Sequence, residues 1–228
     1  MKTQVKSVSS LAKCIDHTFL RPDGPPEAIL RLCEEARRYE FATVAVNPAE
    51  IARAKAYLEG SPVQVCTTIG FPLGQNTTAT KLFETENAIK LGAGEIDMVI
   101  NQRALRAGDV NLVREEIFGI ASICRDNGVL SKVILECCNL TDEEKILVCE
   151  LASLAKCDFV KTSTGFGAHG ATLHDVALMR KHSDPNVQVK ASGGIRDLAT
   201  ALAMLDAGAT RIGTSASVSI IQEFGAAS

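Results

Sequence analysis

The sequence predicts a single (β/α)8 barrel over residues 1–228, and three observations support this fold class. Short apolar, β-branched runs alternate eight times with longer amphipathic stretches, and no linker-like stretch interrupts the alternation. The length of 228 residues suits one barrel domain. The turn after the first run reads HTFLRPDG, whereas an open doubly wound sheet ordinarily has a GxGxxG turn there. We therefore expect a closed barrel in preference to an open sheet.

The eight apolar runs are the predicted strands, because each is short and most are rich in Val, Ile and Thr. They cover residues 14–18, 42–46, 63–69, 95–101, 132–137, 158–163, 187–192 and 210–215. The strands of a parallel sheet are buried on both faces, so they are expected to be mostly apolar. A charged residue within one of them therefore needs an explanation.

Amphipathic spacing predicts helices between the strands. Their expected apolar faces are Ile29, Leu32, Cys33 and Ala36 in PPEAILRLCEEARRY, then Leu147, Leu151 and Leu154, then Leu198, Ala199, Leu202 and Leu205. Thr141 followed by Glu144 has the spacing of a capping box, which predicts where the second of these helices begins. Gly208 predicts the end of the third helix, which belongs to the segment from Ile195.

Composition and charge limit the kinds of binding partner and the cellular compartment that are expected for this protein. The net charge of −3 gives no electrostatic reason to expect nucleic acid or an acidic membrane as partner, so an anion site must be local. The eight cysteines form neither a CxxC pair nor a zinc-like cluster, and no apolar segment has the length of a signal sequence or membrane span. These features predict a reduced, cytoplasmic protein, and a homo-oligomer is expected to be a dimer rather than a tetramer.

Barrel enzymes carry their functional residues at the carboxyl ends of the strands. The unusual residues there are Asp16, Thr18, Asp97, Asn101, Glu136, Lys161 and Lys190. Side-chain alternation places Lys161 and Lys190 on the inward face of the sixth and seventh strands, and Asp97 on the inward face of the fourth. Buried charge is costly unless it is paired or functional, so this set predicts a catalytic site rather than lysines that reach out to water.

Two lysines on neighbouring strands suit nucleophilic catalysis. A free lysine has a pKa of about 10.4, so only about one in a thousand is neutral at pH 7.4. A second ammonium group and loss of solvent both lower the pKa of the nucleophile. The neutral amine can add to a carbonyl to give an iminium, and Asp97 can move the protons that this chemistry requires.

Glycine-rich turns after the last strands predict a phosphate site. SGGIRD (192–197) and GTSAS (213–217) each open a helix, where backbone N–H groups bind anions. The candidate phosphate-binding residues are Gly165, Gly193, Gly194, Arg196, Gly213, Thr214 and Ser215. They predict a phosphorylated small molecule as substrate.

Seven segments together resemble the deoxyribose-phosphate aldolase family over nearly the whole chain. They are IDHTFLRPD (15–23), VCTTIGFPLG (65–74), GAGEIDMVIN (92–101), KVILE (132–136), FVKTSTGF (159–166), VKASGGIRD (189–197) and RIGTSAS (211–217). The resemblance implies a class I aldolase in which Lys161 forms the Schiff base while Asp97 and Lys190 transfer protons. It also implies reversible cleavage of 2-deoxy-D-ribose 5-phosphate to glyceraldehyde 3-phosphate and acetaldehyde, in nucleoside catabolism, without a metal or organic cofactor.

Three positions depart from patterns in that family. Ala45 stands where members often have Cys, and Phe166 stands where some have Lys, which leaves Arg196 and the backbone to hold the phosphate. The tail, FGAAS, lacks the terminal tyrosine that some longer members use in proton abstraction.

Three alternatives remain open from the residues alone. A phosphosugar isomerase or synthase would share the phosphate loops but form no imine. A metal-dependent aldolase would need ligands from His17, His169, His174 and His182, which are scattered in the sequence. A non-catalytic binding barrel would leave the inward Lys–Lys–Asp set without a purpose.

Overall fold

The computed structural model of the protein describes residues 5–227, and within them eight parallel strands close into a barrel. Each strand pairs with the next in sequence, and the eighth pairs with the first. The strands are β1 (Ile15–Phe19), β2 (Thr43–Val46), β3 (Gln64–Ile69), β4 (Glu95–Val99), β5 (Leu130–Ile134), β6 (Phe159–Lys161), β7 (Gln188–Ser192) and β8 (Arg211–Thr214). The predicted (β/α)8 barrel is confirmed.

One helix precedes the first strand, others lie between consecutive strands, and one follows the last strand. They are α1 (Val8–Ala12), α2 (Ala28–Tyr39), α3 (Ile51–Tyr57), α4 (Thr78–Lys90), α5 (Gln102–Arg106), α6 (Val110–Asp126), α7 (Asp142–Leu154), α8 (Leu173–His182), α9 (Leu198–Asp206) and α10 (Ser217–Ala227). Two short 3-10 helices, Pro48–Glu50 and Cys137–Asn139, occur in the loops. Within residues 5–227, no helix is long and apolar enough to span a membrane.

The start of α7 is confirmed in detail. The side chain of Thr141 accepts a hydrogen bond from the N–H of Glu144, whose carboxylate in turn accepts one from the N–H of Thr141 at 2.8 Å. This reciprocal pair satisfies two of the amides that a helix leaves without partners at its N-terminus. Gly208 adopts φ +116° just after α9, as expected for a residue that ends a helix.

Two of the three predicted helix faces need correction. The face of α2 is buried as predicted, but Leu154 is 70% exposed at the end of α7 and Leu147 is only half-buried. In α9, Ala199 is exposed and Leu202 is half-buried, because the buried face instead carries Leu198, Ala201, Met204 and Leu205. The leucine pattern misplaced these faces, since Val148, Cys149 and Ala152 in α7 and Ala201 and Met204 in α9 pack against the barrel instead.

The apolar core lies between the outer surface of the strands and the helices. Ile96, Met98, Val160, Val189 and Ala191 are fully buried on this outer side. The residues that alternate with them point into the barrel, and several of those are charged. The two faces of the sheet therefore differ, with an apolar outer layer and an ionic interior that leads to the candidate site.

Two strand boundaries differ from the prediction in a way that affects the site. The fifth strand begins at Leu130 rather than at residue 132, so Lys132 lies within β5. The sixth strand ends at Lys161 rather than at residue 163. Lys161 is therefore the last residue of its strand, at the carboxyl end of the barrel.

Candidate active site

The structure brings together the three residues predicted to carry the chemistry. Lys161 and Lys190 are directly paired in the register of β6 and β7. Lys161 Nζ donates to Asp97 Oδ2 at 2.6 Å, and Lys190 Nζ donates to the same oxygen at 2.8 Å. All three side chains are nearly or fully buried. The predicted inward orientation and proximity of these residues are thus found in the structure.

Four further residues extend this group, and the sequence reading did not single out any of them. Lys132 Nζ lies 2.7 Å from Asp97 Oδ1 and 2.5 Å from Glu95 Oε2. Arg211 Nη1 also contacts Glu95, at 3.1 Å from Oε2. Cys66 Sγ lies 3.1 Å from Asp97 Oδ1. The signal was available, because alternation in the observed strands puts Glu95, Lys132 and Arg211 on inward-facing positions.

Asp16 lies beneath Lys190 in the barrel interior. Its Oδ2 is 2.5 Å from Lys190 Nζ, and its Oδ1 accepts from Arg211 Nη1 at 2.6 Å. Burial alone would raise the pKa of Asp16, but the charges of Lys190 and Arg211 hold it well below its usual range. Asp16 is therefore an ionised counter-ion for Lys190 rather than a residue at the cavity surface.

The formal charges of this ionic group do not balance. Four cations, Lys132, Lys161, Lys190 and Arg211, share three carboxylates, Asp16, Glu95 and Asp97. Among residues 5–227, Asp97 is the one acidic partner of Lys161, and Lys161 shares that carboxylate with two other lysines. Because an unbalanced charge is unfavourable in a buried site, Lys161 is the cation whose deprotonation costs least.

The pKa directions agree with this charge balance. Burial lowers the pKa of Lys161, Lys190 lowers it further, and Asp97 opposes both. Burial also acts to lower the pKa values of Lys132 and Lys190, but their carboxylate partners outweigh it and raise both. Asp97 is driven the other way, since three lysines hold its pKa well below its usual range despite burial. The arrangement thus combines one readily neutral lysine with two protonated ones.

A cavity of about 360 Å³ opens above the lysines. Its lining includes Lys161, Lys190, Thr18 and Ala45, together with Gly165, Gly193, Gly194, Arg196, Gly213, Thr214 and Ser215. All seven predicted phosphate-binding residues therefore face one cavity with the two lysines. Its size is in the range of small-molecule sites.

Glycine is required at two places in the cavity wall, by backbone conformation at residues 193 and 194 and by lack of space at residue 213. Gly193 and Gly194 adopt φ +83° and +78°, in the region that side chains disfavour. A Cβ at Gly213 would lie 2.3 Å from Ser192 Oγ and 3.1 Å from the Cε of Lys190. Gly213 thus leaves the space that Lys190 occupies, and Gly193 and Gly194 form a turn in the cavity wall that other residues would disfavour.

Two cavity residues were missed by the sequence reading. Ser192 Oγ is buried against the cavity and has no hydrogen-bond partner within the described part of the chain. A buried hydroxyl without a partner is unfavourable, which marks it as a group available to a ligand. Arg21, ion-paired with Asp23 at 3.2 Å, adds a second cation to the rim beside Arg196. Alternation on β7 placed Ser192 on the face of Lys190 and could have identified it.

Glu136 and Thr18 line cavities and do not belong to the ionic group of the barrel interior. The carboxylate of Glu136 accepts from the N–H of Thr164 at 3.2 Å and from the hydroxyl of Thr164. Glu136 itself adopts φ +56° and lines a neighbouring cavity, so it holds the loop after β6. Thr18 faces the main cavity with its hydroxyl bonded to the carbonyl of Asp16 at 2.9 Å. Asn101 caps α5.

The donor chemistry of the site does not suit a metal ion. Asp16, Cys66 and Glu95 form the one group of possible ligands that lie close together in residues 5–227, and no histidine belongs to it. Both carboxylates are already paired with ammonium or guanidinium groups, and burial raises the pKa of the Cys66 thiol to about 12. His17 and His174 bind other partners, Glu35 and Asp142.

Comparison with known proteins identifies the sequence family. A sequence model described as DeoC/LacD family aldolase matches residues 11–227. A deoxyribose-phosphate aldolase of Bacteroides thetaiotaomicron is 58% identical over 218 residues, which is 96% of this chain and 92% of that protein. One from a Geobacillus species is 54% identical over 214 residues, covering 94% of this chain and 96% of the relative.

Solved structures give the same family. A putative deoxyribose-phosphate aldolase from Coccidioides immitis superposes with a TM-score of 0.91 at 41% identity, covering 96% of this chain and 87% of that one. The Aeropyrum pernix deoxyribose phosphate aldolase, which is described as tetrameric, has a TM-score of 0.91 at 32% identity, covering 99% and 95%. With its closed barrel and its inward lysines, this chain belongs to the DeoC/LacD aldolase family and is a carbon–carbon lyase of the aldolase class.

Proposed function

We propose that this aldolase reversibly cleaves 2-deoxy-D-ribose 5-phosphate to D-glyceraldehyde 3-phosphate and acetaldehyde through a Schiff base on Lys161, in deoxyribonucleoside catabolism. The observation that carries the proposal is Lys161 itself, a buried lysine of lowered pKa on the wall of a cavity rich in glycine turns. The names of the 54–58% identical relatives support the substrate.

The first half of the reaction uses the neutral amine of Lys161. Its lone pair adds to the aldehyde carbon C1, and proton transfer followed by loss of water gives an iminium. Lys190 holds a proton and Asp97 holds a negative charge, and Asp97 lies within hydrogen-bond distance of both Lys161 and Lys190. These two groups can therefore deliver a proton to the departing hydroxyl and take one from the amine.

The second half breaks the C2–C3 bond. The C3 hydroxyl gives its proton to the Asp97 carboxylate, C3 becomes the aldehyde of glyceraldehyde 3-phosphate, and the bonding electrons form the C1–C2 double bond of an enamine as the iminium nitrogen takes back its lone pair. Asp97 returns the proton to C2, and water then hydrolyses the new iminium, which releases acetaldehyde and restores Lys161. Ser192 Oγ and Thr18 lie on the cavity wall, where a sugar hydroxyl needs partners.

Reductive trapping tests the Schiff base directly. Acetaldehyde and borohydride should leave an ethyl group on Lys161, located by mass spectrometry of the digested protein, because only an imine is reduced to a stable secondary amine. Modification of Lys190 or Lys132 instead would contradict the assignment. Absence of any adduct would favour an isomerase-type reaction by acid–base chemistry, which forms no imine.

The proposed phosphate site is tested by Ser215→Glu. Ser215 is exposed on the cavity rim, so a carboxylate there would repel a phosphate without disturbing the core. We expect KM for the phosphorylated sugar to rise by about 10- to 100-fold, and KM for unphosphorylated 2-deoxyribose to change little. Ser219→Glu, exposed one turn further along α10, is the matched control and should leave both values nearly unchanged. Equal losses for both sugars with Ser215→Glu would count against phosphate binding.

A further inference from the structure

A buried chain of hydrogen bonds joins β1, α2 and α10, and the proposed chemistry does not use it. His17 on β1 is only 4% exposed. Its Nε2 lies 2.8 Å from Glu35 Oε2 on α2, and its Nδ1 lies 2.9 Å from Ser217 Oγ at the start of α10. Both ring nitrogens therefore have a partner, and the ring is fixed between two elements that are distant in sequence.

The partners determine which nitrogen carries the hydrogen. Glu35 accepts a further hydrogen bond from Arg31 Nε at 2.9 Å, so its carboxylate is an acceptor and Nε2 must be the donor. Burial lowers the pKa of His17 while Glu35 opposes that effect, which favours the neutral imidazole. In the neutral ring Nδ1 then accepts the hydroxyl hydrogen of Ser217. His17 thus fixes the orientation of the Ser217 side chain.

Ser217 in turn contacts the loop after β8. Its Oγ also lies 3.1 Å from the carbonyl oxygen of Thr214, a residue that lines the cavity, so the single hydroxyl hydrogen is shared between this carbonyl and Nδ1 of His17. The Thr214 hydroxyl accepts from the N–H of Ala216 at 2.9 Å and donates to the carbonyl of Ile195 at 2.6 Å. The chain from Glu35 through His17 and Ser217 therefore ends at both glycine-rich loops of the cavity.

The order Ser–His–Glu is also that of a nucleophile, a base and a carboxylate that orients the base. Ser217 is completely buried, and its oxygen faces the Thr214 carbonyl rather than a cavity. No substrate carbonyl can reach it, so a hydrolytic role does not fit. The arrangement instead suits a fixed support for the adjoining loop.

We propose that His17 is a positioning residue for phosphate binding, which holds the loop at residues 213–217 through Ser217. The loop amides must point to one place to bind a phosphate, and a side chain that fixes the turn lowers the cost of ordering them. This inference rests on the phosphate site of the proposed function. It does not require that Lys161 form an imine.

Two conservative variants separate the two hydrogen bonds of His17. The amide of Asn can occupy the position of Nδ1, so His17→Asn keeps the contact with Ser217 and loses the contact with Glu35. The amide of Gln reaches the position of Nε2, so His17→Gln keeps Glu35 and loses Ser217. We expect His17→Gln to weaken the binding of inorganic phosphate, measured by calorimetric titration, by about 3- to 10-fold, and His17→Asn by less than about 2-fold.

Ser217→Ala removes the same hydrogen bond from the other side with a smaller change in volume, so it serves if His17→Gln does not fold. It should weaken phosphate binding at least as much as His17→Gln, because it also removes the contact with Thr214, and the double variant should bind no more weakly than Ser217→Ala alone, because the bond to His17 is lost only once. With turnover as readout, KM for the phosphorylated sugar should rise more than kcat falls. KM for unphosphorylated 2-deoxyribose should stay nearly unchanged.

The inference is overturned if His17→Asn and His17→Gln bind phosphate equally well, or if Ser217→Ala binds it as tightly as the unchanged protein. Reductive trapping at Lys161 is scored separately. If Lys161 is trapped but the two His17 variants bind phosphate equally well, only the positioning role of His17 is wrong. If the two His17 variants differ in phosphate binding but Lys161 is not trapped, the Schiff base is wrong and the positioning role of His17 stands.

Discussion

Replacing Lys161 by alanine is expected to abolish both turnover and reductive trapping with acetaldehyde. The variant keeps the cavity but loses the amine that must become the imine nitrogen, so we expect kcat to fall by at least about 10,000-fold. The variant should still fold, because three cations then face the three carboxylates of the ionic group. Residual rate, circular dichroism and the mass of the trapped protein are the measurements.

An exposed lysine supplies the control for this experiment. Lys181 lies near the end of α8 and is exposed, so Lys181→Met should leave turnover and trapping as they are. If the Lys161→Ala protein were still trapped at another lysine and kept a tenth of the rate, Lys161 would not be the nucleophile.

Replacing Lys190 by methionine is expected to slow the enzyme at neutral pH and much less in alkali. With Lys190 absent, three carboxylates face Lys132, Lys161 and Arg211, so Lys161 is needed as a cation for balance. Asp97 Oδ2 also loses one of its two ammonium partners. Both changes raise the pKa of Lys161, and a smaller fraction of it is neutral at pH 7.

The expected loss at pH 7 is on the order of 100-fold, since each unit of pKa changes the neutral amine about tenfold. Because activity needs the deprotonated amine, the rising limb of the pH–rate profile should move to higher pH, and the loss should shrink above it. Lys145→Met is a matched control, because Lys145 is ion-paired with Asp175 at 2.6 Å outside the barrel interior. Equal inactivity of Lys190→Met at pH 7 and pH 10 would show that Lys190 contributes mainly as a proton donor and not through its effect on the pKa of Lys161.

Asp97→Asn should move the rising limb of the pH–rate profile to lower pH. Asp97 is the group that most raises the pKa of Lys161, so its neutralisation lowers that pKa and leaves four cations against two carboxylates. The amine would be neutral at lower pH, while the proton transfers would lose their carboxylate. We expect a low rate at every pH together with imine trapping that persists at neutral pH. A shift to higher pH would contradict the charge balance described here.

The signs of these two shifts follow from the charges of Lys190 and Asp97, but their sizes depend on contacts that only the structure shows. The sequence predicts that Lys190 is a cation and Asp97 a base near Lys161. On that basis Asp97→Asn would only remove the base and would leave the pair of lysines in place. The structure adds Lys132, which holds Asp97 from below, and it makes burial the largest influence on the pKa of Lys161. The charge of Lys190 is therefore one contribution among several.

Sequence periodicity alone determined the barrel and the inward orientation of Lys161, Lys190 and Asp97. Alternation along a strand has a period of two, and neighbouring β/α units place consecutive strands side by side, so neither inference requires coordinates. The same rule located the glycine turns after β7 and β8 at the carboxyl end of the barrel. These features depend on positions that lie close together in the chain.

Only the tertiary structure shows which lysine has a lowered pKa and what supports the site. Asp97 meets Lys190 across 93 positions of sequence, and His17 meets Ser217 across 200, so no local pattern encodes either contact. Strand register sets the distances between charges, and burial removes the water that would screen them. The sequence therefore determines which groups face the barrel interior, whereas the closed barrel determines their charges, because a pKa depends on every neighbour in three dimensions.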